Sequence, residues 1–214
     1  MKRTLVIAAV ALSAILVPAS QVGAQGGQRM LTLGATPTTV KFGGTVTLSG
    51  KLTGSNVDGR NVTVRQDPFP VDGFSNGGSA TTNATGDWSL ILKPESNTRY
   101  QARSGNTESP NVDVLVQPAI TLKLSDRTPR RGQRVRFSGR LCPEHDTVAI
   151  ALQRRGASGW RTVASPVLKD VAGATCSSYS RRLRVRRNGA YRASFAGDAD
   201  HAAGTSRARR ARVH

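Results

Sequence analysis

The chain has 214 residues, of which 31 are Lys or Arg, 13 are Asp or Glu and 5% are aromatic, and its formal net charge is +18. A chain of this length holds one or two domains, and its 22 glycines and 10 prolines favour a turn-rich fold over a helical one. No apolar repeat of 3.5 residues is sustained, and only one apolar stretch is long enough to be considered as a membrane span. A long coiled coil and a polytopic membrane protein are therefore excluded.

The N-terminus has the three-part order of a secretory signal peptide. Lys2 and Arg3 form a short basic start, and residues 5–17 form an apolar run that only Ser13 interrupts. This run of about 13 residues is shorter than the roughly 20 that span a bilayer as a helix. We therefore expect residues 1–24 to be a cleaved signal peptide, with an uncleaved anchor as the alternative. The mature chain is expected to be secreted or held in the cell envelope, with no transmembrane segment.

Export changes the interpretation of the two cysteines, Cys142 and Cys176. In an oxidising compartment an even pair of cysteines usually forms a disulfide. Closing a loop of this length stabilises the fold by roughly 3–4 kcal/mol on the chain-entropy argument. A redox pair or a metal site is the alternative, but the spacing is not C-x-x-C and the chain has only 3 histidines. The sequence predicts a structural disulfide.

The mature chain is a two-fold repeat. Residues 42–52 align without a gap with residues 131–141, at an offset of 89, and a later block in each unit matches at an offset of 91. A unit of about 90 residues has the size of a domain. The joint at Gln117-Pro118 is short and stiff. The predicted boundaries are 1–24 for the signal peptide, 29–117 for the first domain and 118–214 for the second.

Apolar and polar residues alternate within each unit. Val46 and Leu48 alternate with threonine and serine, and Leu152 belongs to a similar run in the second unit. This period of two is typical of antiparallel strands with one face in a core. About seven short strands separated by turn signals predict an all-β fold of two tandem β-sandwiches. Tyr100 and Tyr191 each start such a run, and we expect both in the core, with a hydroxyl that ties down a loop.

Several segments resemble the bacterial Ig-like repeat domains of exported and cell-surface proteins. Residues 189–201, with the later Ser206, resemble the end of such a domain, where a G-x-Y strand precedes a G-D-x-x-Y/H turn, a serine and a last strand. Residues 131–139 resemble its second strand. The first unit keeps that strand but has residues 104–106, Ser-Gly-Asn, where the second has residues 197–199, Gly-Asp-Ala. The resemblance implies immunoglobulin-like sandwiches that act as spacers, adhesive modules or surface-binding modules.

Candidates for catalysis or metal binding are few. His145 stands between Glu144 and Asp146, and we interpret this group as a polar hairpin tip, with an acid–base or metal cluster as the alternative. Asp198 and Asp200 offer too few oxygens for calcium, so Asp198 is expected to accept backbone N–H bonds in its turn. We predict no catalytic residues, no metal and no cofactor, and a protein that is not an enzyme.

The two tryptophans have different expected roles. Trp88 matches Tyr179 in the repeat, which indicates a core position for both side chains. Trp160 follows the Ser158-Gly159 turn and is the better candidate for an exposed aromatic contact.

The positive charge is concentrated in the second unit. Residues 25–117 hold 8 basic and 7 acidic side chains, whereas residues 118–214 hold 21 and 6, so the net charges are +1 and +15. Alternate residues of a strand share a face, and such arginine stripes attract anions. The residues expected to form an anion-binding surface are Arg134, Arg136, Arg182, Arg184, Arg186, Arg209 and Arg210.

Two explanations of these arginines remain open. They form a functional surface for anionic cell-wall polymers or glycans, or they reflect a GC-rich genome, since the chain has 25 Arg and 6 Lys. Nucleic acid is not the expected partner, because no aromatic platform is interleaved with the basic runs. The sequence favours an exported structural or adhesive module of the bacterial cell envelope. A small exported carbohydrate-binding module or hydrolase accessory protein is the alternative.

Overall fold

The computed structural model describes residues 28–69 and 72–214, so the expected signal peptide lies outside the described residues. The described part of the chain is all β, with 19 strands. None of its segments is a helix long and apolar enough to cross a membrane. The predicted fold class, two tandem immunoglobulin-like antiparallel sandwiches, is confirmed for this part of the chain.

The first sandwich consists of two facing sheets. Its strands are β1 (Met30–Leu31), β2 (Gly34–Thr36), β3 (Thr39–Lys41), β4 (Val46–Thr53), β5 (Asn61–Pro68), β6 (Ser75–Thr81), β7 (Asp87–Leu92), β8 (Thr98–Ser104), β9 (Thr107–Glu108) and β10 (Val112–Gln117). One sheet holds β1, β2, β4 and β7, and the other has the order β3-β10-β8-β5-β6, with β9 paired to β8. β3 runs parallel to β10. The core between the sheets includes Val46, Leu48, Val64 and Tyr100.

The second sandwich has the same plan. Its strands are β11 (Ala119–Ile120), β12 (Lys123–Leu124), β13 (Gln133–Cys142), β14 (Ala151–Gly156), β15 (Gly159–Ala164), β16 (Ser177–Val185), β17 (Gly189–Phe195), β18 (Gly204–Thr205) and β19 (Arg209–Ala211). One sheet holds β11, β12, β13 and β16, and the other holds β15, β14, β17, β18 and β19. A separate core includes Val135, Phe137, Leu152 and Tyr191.

A glycine lies opposite an aromatic residue at equivalent places in the two sandwiches. Gly50 on β4 pairs with Trp88 on β7, and Gly139 on β13 pairs with Tyr179 on β16. A Cβ on either glycine would collide with the carbonyl oxygen of the threonine that separates the two short first strands. The repeat therefore preserves glycine because the preceding chain approaches the strand too closely for any side chain.

In each sandwich, a serine between the last two strands binds the backbone of the long strand that precedes them. The Oγ of Ser206 accepts a hydrogen bond from the backbone N–H of Ala193 at 2.9 Å, and the Ser206 N–H donates to the Ala193 carbonyl. Ser109 makes the same two bonds with Ala102 in the first sandwich. The first sandwich thus keeps this serine, although the turn before it differs from the turn in the second.

The aromatic residues expected in the core are buried. Trp88, Tyr100 and Tyr191 are each at most 5% exposed. The tyrosine whose hydroxyl ties down a neighbouring segment is Tyr179, which donates to the carbonyl of Thr121. Burial raises the pKa of the Tyr179 hydroxyl, so the phenol is neutral and remains a hydrogen-bond donor.

The two sandwiches contact each other through the loop that follows β17. The backbone N–H of Asn97 donates to the carbonyl of Asp200 at 2.7 Å, and the Asn97 amide donates to the carbonyl of Ala199. The N–H of Ala202 donates to the carbonyl of Val116 at 2.9 Å. These hydrogen bonds hold the second sandwich against the end of the first, in addition to the covalent joint.

Candidate anion-binding surface

The predicted disulfide is present. Cys142, the last residue of β13, is bonded to Cys176, which precedes β16. The bond joins one end of two neighbouring strands across a sequence separation of 34 residues. It therefore fixes the sheet that carries most of the predicted arginines.

Four of the predicted arginines form two directly opposed pairs on that sheet. Arg134 on β13 pairs with Arg184 on β16, and Arg136 pairs with Arg182. All four side chains are exposed, because they alternate with buried residues such as Val135. We call this group, Arg134, Arg136, Arg182 and Arg184, the arginine face. Side chains directly opposite one another on a sheet have Cβ atoms about 4.5–5.5 Å apart, so their like charges repel.

Carboxylates do not offset this charge. Among the described residues, the ion pairs that involve Lys or Arg all lie in the first sandwich. They are Lys51–Asp87, Arg65–Glu108, Arg99–Asp113 and Arg103–Glu108. The first sandwich thus pairs several of its basic side chains internally, whereas those described in the second have no carboxylate within ion-pair distance.

Two depressions border the arginine face. One, of about 400 Å³, is lined by Lys123, Ser125, Arg134, Arg136 and Arg182, among others. The other, of about 240 Å³, is lined by Arg154, Arg184, Arg186 and Arg187 together with Val163, Leu183 and Tyr191. Arg182 and Arg184 are alternate residues of β16, and each depression includes one of them.

The sequence analysis did not identify Arg154, which lines the second depression. Its Nη2 donates to the carbonyl of Asn188 at 2.9 Å, whereas its buried Nε has no hydrogen-bond partner. Arg154 shares the strand face of the buried Leu152, so the period of two assigns it to the core. An arginine at an inward-facing position is the signal that could have indicated it.

The remaining predicted arginines lie elsewhere. Arg186 lies just beyond the end of β16 at Val185, and it lines the second depression together with Arg184. Arg209 and Arg210 belong to β19, which is part of the other sheet. The Nε of Arg209 also donates to the carbonyl of Leu122 at 3.1 Å. The seven predicted residues are therefore divided over both sheets and one turn, and do not form a single surface.

Trp160 lies between two arginines. The guanidinium carbons of Arg155 and Arg192 are 5.7 and 4.4 Å from the centre of its ring. The side chain is partly exposed, on β15. Cation–π contacts of this kind hold the ring, so less of its surface is left for another aromatic or sugar contact.

The structure brings together two groups that the sequence analysis treated separately. The His145 side chain is 6% exposed, and its Nε2 lies 3.3 Å from the Oδ2 of Asp198. Its ring centre lies 4.8 Å from that of His201. His145 is therefore not at an exposed hairpin tip, because the loop after β13 packs against the loop after β17 at one end of the sandwich. The loops of a β-sandwich gather at its two ends. This general rule is the signal that could have predicted contact between the two groups.

Asp198 has the turn role that the sequence predicts. Its Oδ1 accepts hydrogen bonds from the backbone N–H groups of Asp200 and His201, at 3.0 and 2.8 Å. The carboxylate is therefore fixed in orientation, with Oδ2 directed at His145.

No protein-family model matches the chain, and no curated protein matches it. One solved structure that matches is a tetra-tandem repeat in the extending region of a large adhesion protein, at 17% identity and a TM-score of 0.34. The match covers 87% of this chain and 49% of that one, so the chain spans about half the length of the solved structure.

Proposed function

We propose that this chain is an exported, non-enzymatic module of the bacterial cell envelope whose second sandwich binds anionic polymers. The observation that carries the proposal is the arginine face, with its two directly opposed Arg–Arg pairs and no carboxylate beside them. Directly opposed like charges destabilise a sheet by a few tenths of a kcal/mol to about 1 kcal/mol. An anion placed between the paired guanidinium groups relieves that repulsion.

Arginine suits this partner chemistry. Its planar guanidinium donates two parallel hydrogen bonds to a phosphate or a carboxylate. The depressions beside the arginine face are wide and shallow, and they follow one another along β16. This shape fits a chain of repeated anionic groups better than a single small ligand, which would need a deeper and more enclosed pocket.

Export is part of the proposal. The disulfide between Cys142 and Cys176 is of a kind that persists in oxidising compartments and is rare in the cytosol. The basic start and apolar run of residues 1–24 give the same expectation. A carbohydrate-binding module has weaker support, because arginines flank Trp160 and Trp88 is buried.

The test compares two quadruple variants of the full mature chain. The first replaces the arginine face, Arg134, Arg136, Arg182 and Arg184, with Gln. The control replaces four exposed arginines of the same sandwich outside β13 and β16, namely Arg127, Arg161, Arg207 and Arg212. Both variants lose four charges, so they differ in the position of the charges and not in their number.

Each protein is mixed with purified cell wall, with a linear polyphosphate and with a polyuronate, and the bound fraction is measured. We expect the arginine-face variant to bind the polymers about tenfold more weakly than wild type, and the control to lose much less. Equal losses in the two variants would assign binding to net charge alone. Undiminished binding by the first variant would contradict the proposal.

A further inference from the structure

Three potential metal ligands converge where the two sandwiches meet. The nitrogen and oxygen atoms that His145, Asp198 and His201 offer all lie within 4.8 Å of one another. The Nε2 of His145 and the Oδ2 of Asp198 are 3.3 Å apart. That separation equals the edge of a tetrahedron with bonds of about 2.0–2.1 Å, the lengths that zinc makes with imidazole nitrogen and carboxylate oxygen.

The second nitrogen of each ring determines which atom is available to a metal. The Nδ1 of His145 lies 3.0 Å from the carbonyl oxygen of Pro143, and the Nε2 of His201 lies 2.8 Å from the carbonyl oxygen of Glu95. A carbonyl oxygen only accepts hydrogen bonds, so both of these ring nitrogens carry the proton. In the neutral form of each ring, the other nitrogen therefore has a bare lone pair.

Those two lone pairs have no partner in the protein. The Nε2 of His145 and the Nδ1 of His201 are both buried without a hydrogen-bond partner, and His201 is 4% exposed. A buried polar atom without a partner destabilises the folded protein, and a bound cation removes that cost for both rings.

We propose that His145, Asp198 and His201 form a binding site for a divalent zinc-type ion, through Nε2, Oδ2 and Nδ1 respectively. Imidazole and carboxylate ligands suit zinc, and a three-residue set leaves the fourth position for water. The carbonyls of Pro143 and Glu95 bond the ring nitrogens on the far side from the metal position. They orient the rings as the hydrogen-bond partners of ligating histidines do in zinc sites. The turn bonds to Oδ1 orient the carboxylate in the same way.

The local charge favours a cation, although the sandwich as a whole is basic. Of the six acidic residues in 118–214, all but Asp126 are at or beside this group. Glu144 and Asp146 flank His145 in the chain, and Asp170 clusters with them. Asp198 and Asp200 belong to the other loop. The acids thus gather at this end of the sandwich, away from the arginine face.

The site extends across the junction between the sandwiches. Glu95 belongs to the first sandwich, and its carbonyl accepts a hydrogen bond from the Nε2–H of His201, a proposed ligand in the second. In the same loop, the N–H of Ala202 donates to the carbonyl of Val116, and the carbonyl of Asp200 accepts from the N–H of Asn97. A metal ion held by the loop therefore stabilises the contact between the two sandwiches as well as the loop itself.

The test uses the full mature chain without a histidine tag, stripped of metal with a chelator. Zinc chloride is titrated calorimetrically, and cobalt chloride is titrated while visible absorption is recorded. We expect one ion per chain, a rise in Tm, and the absorption of low-symmetry, four-coordinate cobalt. Hydrogen exchange at the Asn97 and Ala202 amides should become slower when zinc is bound.

Asp198→Asn is the decisive variant because it should fold. Its side-chain oxygen still accepts the two turn bonds, and its amide donates to the lone pair of His145. We expect this variant to be at least as stable as the metal-free wild type and to lose the zinc response. His145→Gln and His201→Gln should lose it too, whereas His214→Ala, at the exposed C-terminus, should keep it. Absence of zinc binding by the wild type, or full binding by Asp198→Asn, would overturn the proposal.

Discussion

Arg136 on β13 lies directly opposite Arg182 on β16, and both guanidinium groups are exposed on the same face of the sheet. This arrangement stabilises neither the sheet nor the core. It destabilises the isolated protein, and under the proposed function an anionic partner relieves this repulsion. Stability and binding are therefore expected to change in opposite directions when one member of the pair is altered.

Replacing Arg182 with Glu should raise the stability of the second sandwich and weaken polyanion binding. The new cross-strand pair with Arg136 replaces repulsion with attraction, for a gain of about 0.2–1 kcal/mol. Arg181→Glu is the matched control, because Arg181 lies opposite the buried Phe137 and gains no such partner. Urea unfolding and polyphosphate binding are measured for both. A lower stability for Arg182→Glu than for the control would refute the repulsion argument.

Replacing Gly50 with Ala should destabilise the first sandwich by about 1–3 kcal/mol or more. The added Cβ collides with the carbonyl of Thr32 and presses on the ring of Trp88, and overpacking of this kind forces the backbone to shift. Gly34→Ala is the control, because its Cβ would meet its nearest neighbour at an ordinary 3.8 Å. Thermal unfolding of both variants tests the argument, and equal Tm values would count against it.

Replacing Tyr179 with Phe should cost about 0.5–1.5 kcal/mol at pH 7, the net contribution of one hydrogen bond. Burial raises the pKa of the Tyr179 hydroxyl above its ordinary value of 10.0, so the folded protein keeps the proton when the unfolded chain has lost it. The stability that wild type has over the variant is therefore fully present below about pH 10 and is lost as pH rises further. Urea unfolding at pH 7, 9 and 10.5 checks the sign. A difference that grows above pH 10 would contradict it.

Reducing the Cys142–Cys176 bond should lower the stability of the second sandwich by roughly 3–4 kcal/mol and leave the first almost unchanged. The bond closes a loop within the second sandwich and anchors one end of the segment that carries His145. Thermal unfolding is followed with and without dithiothreitol, and a Cys142→Ser/Cys176→Ser variant serves as the permanently reduced form. If neither transition moves, the disulfide has no structural role.

The sequence predicted most of the fold because its signals are local. Alternation at Val46 and Leu48 indicated strands, and the repeat of Gly43 as Gly132 indicated two copies of one domain. The two glycines have φ values of 85° and 84°, a left-handed conformation that favours glycine. The same local logic predicted the turn role of Asp198, whereas the disulfide prediction followed from the expected export and the even number of cysteines.

The sequence did not predict contacts made across the fold. Arg154 lies at an inward position of its strand, and His145 lies in a loop. Neither the alternation of apolar residues nor the spacing of motifs shows which residues their side chains contact. The convergence of His145 with His201 depends on two loops that are more than 50 residues apart in the chain and meet at one end of the sandwich. The alternation also does not show that β16 ends at Val185, which leaves Arg186 outside the strand.

The salt dependence of polyphosphate binding tests the central claim most directly. The logarithm of the affinity is measured against the logarithm of the salt concentration for wild type, for the arginine-face variant and for the control quadruple variant. If the arginine face holds the polymer, wild type and control show similarly steep slopes, and the arginine-face variant loses up to about 4 units of slope. Identical slopes for the two variants would contradict a defined binding face and leave only diffuse attraction to a basic protein.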